Sequence, residues 1–118
     1  MPRRVQGWNG GVDMTDREML ELAAKAAGIE LKWHHSHKDA YARRNGEYWA
    51  VWNPLRDDGD ALRLAVKLQM ELKVYEVSAH AASAIGGCSV CTSEKGDPYA
   101  ATRRAIVRAA AEIGRNMT

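Results

Sequence analysis

Cys88 and Cys91, spaced C-x-x-C, and the run His34-His35-Ser36-His37 are the residues whose types and spacing could do chemistry. A C-x-x-C pair is either a redox dithiol or half of a zinc site. The redox form wants its first cysteine at a helix N-terminus, where the thiolate is stabilised. Here the segment after Gly86-Gly87 reads as a strand, and residues three apart on a strand point to opposite faces. A zinc knuckle would need a tight turn at that point, and no second C-x-x-C completes it. His35 and His37 lie two apart, so both could sit on one side of an extended segment and join Cys88 and Cys91 around a metal. That combined spacing fits no zinc-finger template. The expectation is therefore ordinary strand cysteines, solvent-facing histidines and no metal or other cofactor. His80, in an alanine-rich stretch, reads as a strand residue rather than a ligand.

Two charged groups come next. Asp57, Asp58 and Asp60 could suggest a divalent cation, but a calcium loop needs further ligands and a closing bidentate glutamate. Helix capping accounts for these aspartates. Arg103, Arg104, Arg108 and Arg115 form a basic face on the last helical segment, with Glu112 placed to pair with Arg108. Such a face could bind phosphates, and Tyr41, Tyr48, Trp49 and Trp52 could stack bases. No glycine-rich phosphate loop, nucleophile elbow or Ser/His/Asp arrangement is present, so the chain does not read as an enzyme.

The elements that must position these residues are well signed. Thr15-x-x-Glu18 is a capping box, with Met14 and Met19 at the positions of a hydrophobic staple. It predicts a helix over 16–27 that ends at Gly28. From Ile29 the apolar period changes to two, with Ile29, Leu31 and Trp33 on one side of a strand. Residues 41–44 and 47–52 flank Asn45-Gly46, a hairpin signal that would set Arg44 opposite Glu47. A second helix is predicted over 58–70, with Leu62, Leu64, Leu68 and Leu72 turned inward. Residues 73–79 and 88–93 read as a second strand pair around Gly86-Gly87. Asp97 as N-cap, Pro98 at the first helical position and Gly114 just past the end frame the last helix.

The fold class is therefore α+β, in the order α-β-β-β-α-β-β-α. The expected form is an α-β-α sandwich around a mainly antiparallel sheet of four to five strands, with helices on both faces. Residues 1–13, with three glycines and few apolar residues, read as a flexible leader, in which Trp8 could pack back on the domain. Residues 14–118 read as a single domain.

At 118 residues, with 46% hydrophobic and 27% charged residues, the chain can bury a core without disulfides or metal. A net charge of +2 neither requires nor excludes nucleic acid. No apolar run approaches the roughly 20 residues of a membrane helix. The arginines near the start lack an apolar segment behind them, so no secretory signal is read. A cytoplasmic setting with reduced thiols is expected. Phenylalanine is missing, while Trp and Tyr number four each, so the aromatic bulk carries polar handles.

Three blocks carry a resemblance: TDREMLELAAKAAGIE, WNPLRDDGDALRLAVKL and DPYAATRRAIVRAAAEIG. Together with the strands between them, they resemble the phage ABA sandwich domain family and, in pattern, NinX-type phage proteins. The likeness spans about residues 14–115 and is most specific in the second block. It implies an α-β-α sandwich in a small phage or prophage protein, cytoplasmic in a bacterial host. It implies no activity, cofactor or catalytic residue. Similar proteins begin at a methionine like Met14, so residues 1–13 would be a dispensable extension. Cys88, Cys91 and the histidine run are not part of the family pattern.

The functional expectation is an accessory protein that binds a host or phage protein. Trp49, Trp52, Arg103, Arg104 and Arg108 are the candidate contact residues, since aromatic and arginine side chains are the usual hot spots. The runner-up is nucleic-acid binding through the basic helix face. An open sheet edge with exposed aromatics would also suit a homodimer.

Overall fold

The structure is a computed structural model that describes residues 14–33, 40–43, 48–75, 78–83, 88–92 and 97–117. The leader 1–13 with Trp8, the histidine run at 34–37, and the Asn45-Gly46 and Gly86-Gly87 turns lie outside the described residues.

Helix α1 (Asp16–Ala27) begins at the capping box read from the sequence. Glu18 N–H donates to Thr15 Oγ1 at 3.1 Å, and Thr15 N–H donates back to Glu18 Oε1 at 2.9 Å. The exchange satisfies two backbone donors that the first turn leaves without partners. Gly28 closes the helix with φ 72°, the left-handed conformation that glycine adopts without a Cβ penalty.

Strands β1 (Glu30–Trp33), β2 (Ala40–Arg43) and β3 (Ala50–Trp52) form one antiparallel sheet in that order. Glu30 stands opposite Arg43, and the pair closes to a 2.8 Å ion pair. The pairing of β2 with β3 sets Ala42 opposite Ala50, one residue out of step with Arg44 facing Glu47 directly. Residues 44–47 themselves lie outside the described residues.

Helix α2 (Asp58–Lys67) ends three residues short of the predicted boundary. The chain leaves it through Gln69, whose φ of 54° performs the turn without a glycine. Gln69 N–H donates to the Val66 carbonyl at 3.1 Å. Leu72, expected to continue the inward stripe of this helix beyond its end, belongs instead to a strand.

The second sheet holds β4 (Met70–Val74), β5 (Ala79–Ser83) and β6 (Cys88–Thr92), again antiparallel and in chain order. Residues 73–79, expected as one strand, hold the end of β4 and the start of β5, with 76–77 outside the described residues. Tyr75 N–H closes that hairpin on the Ser78 carbonyl at 2.8 Å. Helix α3 (Pro98–Arg115) follows, with the Asp97 side chain accepting from Ala100 N–H at 3.0 Å.

The α+β class and the three helices in their order stand as expected. The strands are divided between two three-stranded sheets rather than joined in one. The reason lies in α3, which has two apolar faces instead of one. Ala101, Ala105 and Ala109 recur every fourth residue and pack with Ala79 and Ala81 of β5. Ile106, Val107, Ala110, Ala111 and Ile113 pack in a larger cluster with α1, α2 and Trp52. A helix dry on both sides sits inside the molecule, with the second sheet on one flank and the other helices elsewhere. Leu64, Leu68, Ile106 and Ile113 are all buried. Gly114, expected just past the helix, lies within α3 and is buried against α1, while Asn116 is the C-cap.

Candidate interaction groove

The basic face of α3 is largely answered by the starts of the other two helices. Arg103 Nε donates to the Leu55 carbonyl at 2.9 Å, and its Nη1 donates to Asp58 Oδ1 at 2.6 Å. Arg104 Nη2 meets Asp16 Oδ1 at 3.0 Å. These arginines tie α3 to the N-termini of α2 and α1, where acidic residues also complement the helix dipoles. Arg108 is half-buried on the same helix, and Glu112 pairs at 3.6 Å with Arg115 rather than with Arg108.

The aspartates divide the same way. Asp57 alone caps α2, accepting from Asp60 N–H at 2.8 Å. Asp58 takes Arg103, while Asp60 accepts from Asn53 N–H at 2.9 Å and from Arg63 at 2.9 Å. Capping thus explains one of the three; the others are tertiary and local ties. Among the described residues, no three His, Cys, Asp or Glu side chains gather as a cation site.

The aromatic candidates part company. Trp52 is 4% exposed and forms part of the main core, so it is withdrawn from the contact surface. Its alternation on β3 turns it under the helices, where its large apolar area is best used. Trp49 stays partly exposed on the first sheet, with the Arg43 guanidinium 4.7 Å and the Lys32 ammonium 5.4 Å from its ring centre. Both approaches are cation–π contacts. Trp49 thus keeps company with Lys32 and Arg43, whereas Arg103 and Arg104 are committed to the helix starts.

His35 and His37 lie outside the described residues, as do the side chains of Cys88 and Cys91. The backbone at Cys88–Thr92 is one uninterrupted strand, so the turn a zinc knuckle needs between the cysteines is not there.

What the sequence reading missed is a groove of about 500 Å³ between α2, β4 and the start of α3. Its walls are Ala61, Leu62, Leu72, Val74, Tyr99 and Ile106, and Asp58 and Arg103 stand among its lining residues. Leu62, expected inside, is 58% exposed, and Tyr99 is 69% exposed. Val74, Tyr75 and Val66 add further exposed apolar surface nearby in the chain. A signal for it existed. Ala61, Leu64, Ala65 and Leu68 complete the buried stripe of α2, so Leu62 and Val66, one turn apart, fall on a different face. Large apolar residues off the core stripe are what a contact surface requires.

No family model, curated protein or solved structure matches the chain. The groove is therefore read on its own chemistry. Its described lining is mainly apolar, with Asp58, Thr102 and Arg103 as its polar members. Among the described residues, no helix is long and apolar enough to cross a membrane.

Proposed function

We propose that this chain is a non-catalytic interaction module that receives apolar side chains of a protein partner in the α2–β4–α3 groove. The observation that carries the reading is the exposure of Leu62, Val74 and Tyr99 around one apolar cleft. Leaving such side chains in water is costly, and covering them is the usual driving force of association. The rim charges Asp58 and Arg103 would set orientation more than affinity. By its resemblance to the phage ABA sandwich family, the module is an accessory protein of a phage or prophage, working in the host cytoplasm. Trp49 remains a candidate contact at a separate place on the first sheet.

Nucleic-acid binding through α3 draws less support, because Arg103 and Arg104 already face carboxylates. The deciding experiment is capture of partners from the natural host with the intact chain and with the variant Leu62→Glu/Tyr99→Glu. Both positions are exposed, so the variant keeps the core. Loss of the captured protein supports the groove; an unchanged set of captured proteins removes it.

A further inference from the structure

Strand β4 stands at the edge of the second sheet, and its sequence Met70-Glu71-Leu72-Lys73-Val74 is complementary to itself when reversed. The direction of its backbone groups follows from one bond. Tyr75 N–H donates to Ser78 across the β4–β5 hairpin. In an antiparallel ladder the inward and outward pairs alternate, so Glu71 and Lys73 also turn their backbone groups toward β5. The N–H and C=O groups of Met70, Leu72 and Val74 therefore point out of the sheet. Among the described residues, no other strand pairs with that edge.

We propose that two copies of the chain join antiparallel through β4, about a two-fold axis at Leu72, making one continuous sheet. The outward groups fix which residues can exchange hydrogen bonds, so the register can shift only in steps that keep Met70, Leu72 and Val74 paired among themselves. Centring on Leu72 sets Met70 opposite Val74 and Glu71 opposite Lys73, twice by symmetry. Shifting one way sets Glu71 against Glu71 of the other copy; shifting the other way sets Lys73 against Lys73. Both alternatives bring like charges together, which is unfavourable in directly opposed strand pairs. The Glu71–Lys73 pairs fall at the positions without mutual hydrogen bonds, where side chains approach most closely.

The two sides of the strand agree with this register. Glu71 and Lys73 are exposed on one face, while Met70 and Leu72 lie half-buried on the face that packs toward α3. Val74, exposed on that second face, would be covered by Met70 of the other copy. Paired charges on the wet face and apolar residues on the dry face are the pattern of an interior strand. This inference goes beyond the groove reading: it would cover Val74, one wall of the groove, and makes no use of Leu62 or Tyr99.

The test is sedimentation of the full chain from low to high micromolar concentration, alongside the exposed-site variants Glu71→Lys, Lys73→Glu and the double exchange of both. The wild type and the double exchange should dimerise, while each single variant weakens the dimer by about tenfold or more. An equimolar mixture of the two single variants should form a heterodimer, because each then meets the opposite charge. A wild type that stays monomeric throughout would overturn the proposal. So would single variants that dimerise as well as the parent. If the chain is monomeric but groove variants still lose their captured partner, only the dimer falls.

Discussion

Gly114 of α3 lies directly against the backbone carbonyl of Leu22 in α1. A Cβ at position 114 would fall inside the contact radius of that oxygen, and the nearest atoms are all backbone, which has no rotamer to offer. The most extensive contact between any two elements is the one between these helices. Ala23, Ala24 and Ala27 of α1, with Ala110 and Ala111 of α3, keep the two axes close.

Gly114→Ala should therefore destabilise, although alanine is the better helix former by about 1 kcal/mol. Overpacking costs about 1–3 kcal/mol, and here backbone must move. The contrast is Gly59→Ala in α2, where an added Cβ meets no backbone: it crowds the Arg63 guanidinium at 3.3 Å and the capping Asp57 Oδ2 at 3.2 Å, a cost set against the helix propensity of alanine. That change should be near neutral. Denaturant unfolding of both variants checks the pair; equal stabilities would mean that α1 can retreat from α3 without loss.

Gln69 turns the chain out of α2 with φ 54°, and the half-turn is held by its N–H to Val66 at 3.1 Å. Glycine reaches this conformation without crowding its own Cβ. Gln69→Gly should raise stability by about 0.5–1 kcal/mol, a gain that most glycine substitutions would not give. A lowered unfolding midpoint would show that the glutamine side chain contributes something the backbone argument omits.

Helix starts were legible because their causes are local. Thr15 with Glu18, Asp57 with Asp60, and Asp97 with Ala100 each act within three residues. The split of 73–79 between β4 and β5 was not legible. The residues between Tyr75 and Ser78 are Glu and Val, which carry no turn signal, and the exit from α2 uses glutamine where glycine is the usual mark. The contact surface was misread for a different reason. Arg103 and Arg104 find their carboxylates 45 and 88 residues away, so spacing on the helix alone leaves them looking free. Trp52 and Trp49 are three apart on one short segment and have opposite fates, which depend on where α1 and α2 settle rather than on the residue type. The groove was half-legible, since Leu62 and Val66 stood off the buried stripe, but its other wall needed the true position of β4.

The two helix ties should differ in weight. The Arg103 side chain is 18% exposed and donates to a backbone carbonyl as well as to Asp58, whereas that of Arg104 is 38% exposed and meets a largely exposed Asp16. Arg103→Met should cost about 1–3 kcal/mol, because the Leu55 carbonyl is left short of a donor. Arg104→Met should cost under about 1 kcal/mol, as for most solvated ion pairs. Equilibrium unfolding in denaturant separates them, and high salt should narrow the Arg104 effect. Equal costs would place the weight in the charges rather than in the carbonyl bond.

Glu18 supplies the expected pH dependence. Its bond from the Thr15 backbone N–H, and then its link with the Thr15 side chain, hold its pKa below the ordinary 4.5. A depressed carboxylate pKa means that ionised Glu18 favours the folded state. Its contribution is complete above 4.5 and is lost as the pH falls through the lower folded value. Glu18→Gln keeps an oxygen for the Thr15 N–H but cannot ionise. Thermal unfolding should thus find the parent more stable than this variant at neutral pH, with the two curves converging under acid. A constant gap across that range would mean that the charge on Glu18 has no part in capping α1.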